Sequence, residues 1–280
     1  MTNMNIKKFK KIQSIQLEIL KYFDEVAREN NITYYMAFGS LIGAVRHQGF
    51  IPWDVDIDIT LFREDYEKII EILKAQEEKT DYFIRKPGDK YHISPHALLY
   101  CKETEIFWSN AELNKQDKRP RGVYIDLFPI DKLSENPKLQ NKHINRILRM
   151  RNHILIKNPT YYKKGKIYRF LKWSRSMLFL FSSTQRMQLR LDKEMQKYNN
   201  TSSKLYGQYA CPYTTKIRFE KDVYGKPKLV PFSGIHVPIP NKYNIFLSTV
   251  YGDYMKLPSE ENQKRFYNNN FTVHDNRKKQ

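Results

Sequence analysis

Cysteine is nearly absent from this chain: Cys101 and Cys211 are the two in 280 residues. Two such isolated thiols exclude a disulfide framework and a cysteine-rich zinc site. They fit a reducing, cytoplasmic setting. Long apolar runs are missing too. No stretch approaches the roughly 18 apolar residues of a membrane-spanning helix. The basic start, residues 1–13, has no apolar stretch behind it and is not a signal peptide. Membrane contact is therefore expected to be peripheral at most, on the inner face of the cell membrane. No internal repeat or low-complexity linker interrupts the sequence. Acidic side chains are missing from one long region: residues 136–191 hold none, against 14 basic ones. Most of the net charge of +19 resides there, and such a field attracts anionic surfaces and polyanions.

What is present is an alternation of helical and strand patterns. Ile12, Ile15, Ile19, Phe23 and Val26, widened by Leu20, form an apolar stripe and predict an amphipathic helix over 6–29, stopped at Asn30-Asn31. Residues 32–38 read as a buried strand, broken by Gly39-Ser40. A short helix over 41–47 and a turn marked by Gly49 and Pro52 follow. Trp53 to Leu61 alternates as a strand, and 64–78 reads as a second helix. Short strands are expected over 80–131, helices from 136 to about 198, and a loop-rich tail from 204 with one helix at 241–251. Only residues 276–280 read as disordered. The pattern is α/β. Three regions are expected: a catalytic core over 1–135, a basic helical segment over 136–200, and a C-terminal part over 201–280 that packs back on the core.

The chemistry concentrates between Gly39 and Asp58. On a strand, Asp54, Asp56 and Asp58 share one face, while Val55, Ile57 and Ile59 enter the core. Same-face neighbours stand roughly 6–7 Å apart, and three carboxylates that close repel unless a cation lies among them. Hard oxygen donors suit Mg²⁺ or Mn²⁺, which also bind substrate phosphates. Upstream, Gly39 permits close backbone approach, and Ser40 suits either a helix cap or a phosphate oxygen. Arg46 and His47 offer charge-assisted contacts to an anion.

The run from Phe38 to Asp58, with its Gly39-Ser40, Arg46-His47 and Trp53-Asp54-Val55-Asp56-Ile57-Asp58 segments, resembles the signature of the LicD family within the nucleotidyltransferase superfamily. Two later segments agree: 122–131, with Asp126, and the pair 237–240 and 251–258. The resemblance spans about residues 15–267. One position departs from it: the family commonly shows three consecutive acids after the tryptophan, and here the middle one is Val55. Strand alternation turns that position away from Asp54 and Asp56.

The resemblance implies a nucleotidyltransferase-like mixed β-sheet flanked by helices, with the basic helical segment as an insertion. It implies that Asp56, Asp58 and Asp126 hold the metal. Asp54 would be a further ligand or the base that activates a hydroxyl, and Gly39, Ser40, Arg46, His47 and Trp53 would contact substrate. The family's usual donor is CDP-choline, and its acceptor is a sugar hydroxyl on a surface glycan precursor such as teichoic acid or lipopolysaccharide, lipid-linked or polymeric. Choline is a permanent cation that proteins hold on aromatic faces; Trp53, Trp108, Tyr124 and Phe128 are candidates. Within the basic segment, residues 163–181 combine lysines with an apolar, aromatic face that fits an anionic membrane. The same face also fits packing against the catalytic core. Transfer of another polyol phosphate or a nucleotide, or simple binding of an anionic glycan, are the competing functions. Nucleic acid is not expected, because no recognition motif accompanies the charge.

Overall fold

The computed structural model describes residues 3–108, 122–157, 182–267 and 271–277. The chain opens with helix α1 (Asn3–Glu29), whose predicted stripe is buried throughout. Asn31 takes a left-handed φ of 54° just beyond it, a conformation asparagine adopts readily at a helix end. Strand β1 is only Tyr35–Met36. The chain leaves the sheet early because Phe38, at φ 46°, turns directly into helix α2 (Phe38–Ile42). Gly39 and Ser40 therefore lie inside a helix rather than in a break. A π-helical turn, Gly43–His47, continues α2.

Strand β2 is Asp58–Phe62 and runs straight into helix α3 (Arg63–Gln76). Next come β3 (Tyr82–Arg85), β4 (Ala97–Cys101), β5 (Thr104–Trp108) and β6 (Tyr124–Lys132). Helices α4 (Pro137–Lys157) and α5 (Thr184–Met195) account for the described part of the basic segment. The C-terminal part supplies β7 (Leu205–Gly207), β8 (Phe219–Glu220), α6 (Lys221–Tyr224), β9 (Lys228–Phe232), β10 (Ile235–Ile239), α7 (Tyr243–Tyr251), α8 (Glu260–Tyr267) and β11 (Phe271–Asp275). Asn276 and Arg277, expected to be disordered, are tied down; residues 278–280 lie outside the described residues. Asn276 N–H reaches Glu103 O at 2.8 Å, and the Arg277 guanidinium pairs with Asp275 at 2.7 Å and also with Glu18.

Among the described residues the main sheet has seven strands. Its order is β1-β2-β6-β4-β3, with β7 and β8 extending it from the end of β6. β2 and β6 are parallel and the other pairs are antiparallel, which makes the sheet mixed. This is the helix-flanked mixed sheet expected from the sequence. Separate hairpin-like pairs join β9 to β10 and β5 to β11. One continuous apolar core runs from α1 through the sheet to α7. The aromatic run expected at 163–181 lies outside the described residues, as does the side chain of Trp108. No helix among the described residues is long and apolar enough to cross a membrane.

An ionic knot joins three of these parts. Arg63, at the start of α3, donates from Nε and Nη2 to Asp131 of β6 at 2.8 and 2.7 Å. Its Nη1 reaches Asp192 of α5 at 2.9 Å, and Asn199 Nδ2 donates to Asp131 at 2.7 Å. Asp131 is fully buried. A charge so deep is tolerable only when it is paired and hydrogen-bonded, and here both carboxylate oxygens accept. The last acid of the second sequence block is therefore structural.

Candidate active site

Strand β2 starts five residues later than the alternation suggested, at Asp58. Residues 53–57 form no ladder, so their carbonyls need other partners. Helix α1 supplies them with two glutamines that the sequence reading passed over. Gln13 Nε2 donates to Asp54 O at 2.8 Å and to Ile51 O at 3.3 Å. Gln16 Nε2 donates to Val55 O at 2.6 Å and to Tyr124 O at 3.0 Å. The in-and-out alternation nonetheless survives. Val55 and Ile57 are buried, Asp54 and Asp58 are half-buried, and Asp56 is exposed.

Ser40 locks this segment. Its hydroxyl donates to Asp56 O at 3.2 Å and accepts from Asp58 N–H at 2.9 Å. It does not cap a helix, since Ala37 occupies the N-cap position of α2. Gly39 approaches carboxylates: its N–H donates to Asp58, and a Cβ built on it would stand 2.7 Å from Asp54 Oδ2.

Asp58 and Asp126 are direct partners in the parallel β2–β6 ladder, so both side chains leave the same face of the sheet. Adjacent strands lie about 4.8 Å apart, closer than any spacing within one strand face. Burial, and then the charges of Asp126, Asp56 and Asp54, hold the Asp58 carboxyl well above the usual range, against the Gly39 N–H. Asp54 is raised by burial, opposed by the backbone N–H groups of Val55 and Asp56. Asp56 is pushed up to about 8, first by desolvation and then by Asp54 and Asp126; its solvent-facing side lets water screen part of this. Four carboxylates thus share one electrostatic neighbourhood, in which burial raises Asp54, Asp56 and Asp58 and neighbouring carboxylates raise the last two further. Oxygen donors that resist ionisation together are the donor set a hard divalent cation would complete. As the side chains stand, no three acidic, histidine or cysteine groups among the described residues form a finished cage. Ligation would require rotamer adjustment.

The remaining expected residues surround this cluster without all facing it. Arg46 Nη1 donates to Tyr254 O at 2.6 Å and Lys256 O at 3.3 Å, and its Nε donates to His47 Nε2 at 3.1 Å. Arg46 thus ties the π-turn to the segment after α7, joining the first and last sequence blocks. Burial and then Arg46 lower the His47 pKa, so the imidazole stays the neutral acceptor of that bond. Trp53 packs edge-on against His47 at 6.2 Å.

Among the aromatic candidates, Phe128 is buried between Phe38 and His96, with ring centroids at 5.3 and 4.1 Å. Tyr124 packs against Tyr100 at 5.3 Å. The aromatic pair coupled to the acids was not foreseen. Tyr213 and Tyr251 meet at 5.1 Å and 64°. The Tyr251 pKa is raised by burial, by its bond to and the charge of Tyr213, and by Asp58 and Asp54. His96 was missed as well; its Nε2 lies 2.7 Å from Asp126 Oδ1. Thirty residues separate the two, and only the β4–β6 pairing brings them together. Gln16 had a weak signal, a polar residue inside the apolar stripe of α1.

This chain resembles known proteins, one of them over most of its length. Along 264 residues, 90% of this chain and 93% of the relative, it is 29% identical to the lipopolysaccharide cholinephosphotransferase LicD of Haemophilus influenzae. It is 35% identical over 127 residues to an uncharacterized protein of Rickettsia prowazekii, RP689, covering 41% of this chain and 44% of that one. A shorter match, 40% over 48 residues, reaches the human ribitol 5-phosphate transferase FKRP, covering 17% of this chain and 10% of that protein. The family model for the LicD/FKTN/FKRP nucleotidyltransferase domain matches residues 31–191, a span holding Gly39, the aspartate segment, His96 and Asp126. The chain therefore belongs to the LicD/FKTN/FKRP nucleotidyltransferase-domain family.

Proposed function

We propose that this protein transfers phosphocholine from CDP-choline to a sugar hydroxyl of a cell-surface glycan precursor, with Mg²⁺ or Mn²⁺ bound by Asp56, Asp58 and Asp126. The single observation that carries the reading is the in-register pairing of Asp58 with Asp126, beside Asp54 and Asp56. The H. influenzae relative, matched over nearly its whole length, is named for phosphocholine transfer and lipopolysaccharide.

The acceptor oxygen attacks the phosphorus that bears choline. The bond from that phosphorus to the bridging oxygen breaks, and CMP departs with the bridging oxygen. Asp54, held by the Val55 N–H at 3.0 Å and crowded by Gly39, takes the hydroxyl proton. The divalent ion supplies charge neutralisation at the diphosphate. Gln13, Gln16 and Ser40 fix the backbone that carries the carboxylates, so the donors are set before substrate arrives. The trimethylammonium group has no N–H to donate and is held by aromatic faces and negative potential. Tyr213 and Tyr251, the latter within the field of Asp54 and Asp58, meet both requirements.

The local match to a ribitol 5-phosphate transferase favours one alternative, transfer of a polyol phosphate by the same residues. A panel of CDP-choline, CDP-ribitol and CDP-glycerol, scored by CMP release with Mg²⁺ and a glycan acceptor, decides between them. Preference for CDP-choline supports the proposal. CMP release from CDP-ribitol alone would replace the donor and leave the centre intact.

A further inference from the structure

We propose that His96 is a positioning residue for the divalent-ion site: it fixes one oxygen of Asp126 so that the other is left to the ion. The inference rests on the reading that Asp126 is one of the ion's ligands. His96 immediately precedes β4, and β4 pairs antiparallel with β6 so that Leu98 faces Asp126. The imidazole therefore arrives beside the end of Asp126's side chain, with Nε2 2.7 Å from Oδ1. Since a carboxylate only accepts, the Nε2–H is the donor.

The surroundings hold the ring in that pose. His96 is 9% exposed. His92 Nε2 lies 2.8 Å from the carbonyl of His96 and donates to it, fixing the main chain. The Ala97 N–H donates to the Tyr66 hydroxyl at 2.9 Å, fixing the next residue. The Phe128 ring lies 4.1 Å from the imidazole at 37°.

The second ring nitrogen gives the independent observation. Nδ1 is buried and has no hydrogen-bond partner among the described residues. A buried, half-satisfied polar ring is a poor choice for stability alone, because an apolar ring of the same shape would avoid the desolvation penalty. Its one bond within the protein goes to the carboxylate that pairs with Asp58. Partners of this kind set the orientation and basicity of a ligating carboxylate, and their loss lowers metal affinity or activity about 10–100-fold.

The test is Mn²⁺ binding to the full chain, read from the electron paramagnetic resonance of free Mn²⁺, with no turnover required. His96→Phe keeps the ring against Phe128 and removes the donor. His96→Gln places an amide N–H near the position of Nε2. The expected result is a 10–100-fold weaker Mn²⁺ affinity for His96→Phe, with substantial recovery in His96→Gln and melting temperatures close to wild type for both. Wild-type affinity in a folded His96→Phe protein overturns the positioning role while leaving the metal site standing. Should His96→Phe not fold, His96→Asn beside His96→Gln decides, because the shorter amide falls short of Asp126: weaker Mn²⁺ affinity in His96→Asn than in His96→Gln supports the role, and wild-type affinity in both overturns it. Failure of the wild type to bind Mn²⁺, with CDP-choline present, overturns the metal reading and this inference with it.

Discussion

Replacing Ser40 by alanine separates two roles for that residue. If Ser40 were a phosphate ligand, the variant would fold normally and lose donor affinity. The structure instead gives its hydroxyl to the backbone, accepting from Asp58 N–H at 2.9 Å and donating to Asp56 O at 3.2 Å, in a side chain 4% exposed. Alanine leaves the Asp58 N–H facing a methyl group, a penalty of about 1–3 kcal/mol for a buried unsatisfied donor. The Asp56 carbonyl sits nearer solvent, and its lost bond adds about 0.5–1.5 kcal/mol. The sum is about 1.5–4.5 kcal/mol, which in a chain of this size lowers the melting temperature by about 3–8 °C. Differential scanning calorimetry reads that shift directly. Because the same bonds hold the two aspartates, Mn²⁺ affinity should fall with it. A melting temperature within about 1 °C of wild type, together with a KM for donor raised tenfold, would refute the clamp and restore the phosphate-ligand role.

Gly39→Ala should act differently. Its Cβ meets only the end of the Asp54 side chain, at 2.7 Å, so thermal stability stays within about 1 kcal/mol while CMP release drops at least tenfold as Asp54 is pushed aside. Asp131→Asn should cost about 3–5 kcal/mol, because it leaves the buried Arg63 guanidinium without its main counter-charge; urea titration measures it. pH dependence follows from the raised carboxyls. An acid whose folded pKa exceeds its unfolded value stabilises the protein below the unfolded value, and that contribution disappears as pH rises through the folded one. For Asp56 the window runs from 3.8 to about 8. The melting temperature of metal-free protein should therefore carry a component that declines over that range, and the increment from added Mg²⁺ should grow with pH.

Much of the fold was legible in the sequence because burial follows periodicity. The stripe of α1, the helix after Phe62 and the β6 block are all where their patterns put them. The misplacements share one cause. Between Phe38 and Ile57 the backbone is organised largely by partners distant in sequence, namely Gln13, Gln16 and the β6 strand, and local pattern carries little trace of them. Asp54, Asp56 and Asp58 were visible as acids alternating with apolar residues, but their union with Asp126 is a property of strand order. His96, Tyr213 and Tyr251 stand in segments with no chemical motif of their own. Arg46 and His47 look like anion ligands in sequence because of their charge, whereas in the structure Arg46 donates to the chain after α7 and to His47.

The account depends on the aspartate cluster taking up a divalent cation in place of protons. Calorimetric titration of Mg²⁺ into the full chain at pH 7, repeated in buffers of different ionisation enthalpy and with CDP-choline present, measures uptake and proton release together. The account predicts saturable binding with net proton release, and loss of both in Asp58→Asn. Absence of Mg²⁺ uptake by the wild type with donor present, or uptake unchanged in Asp58→Asn, would contradict it.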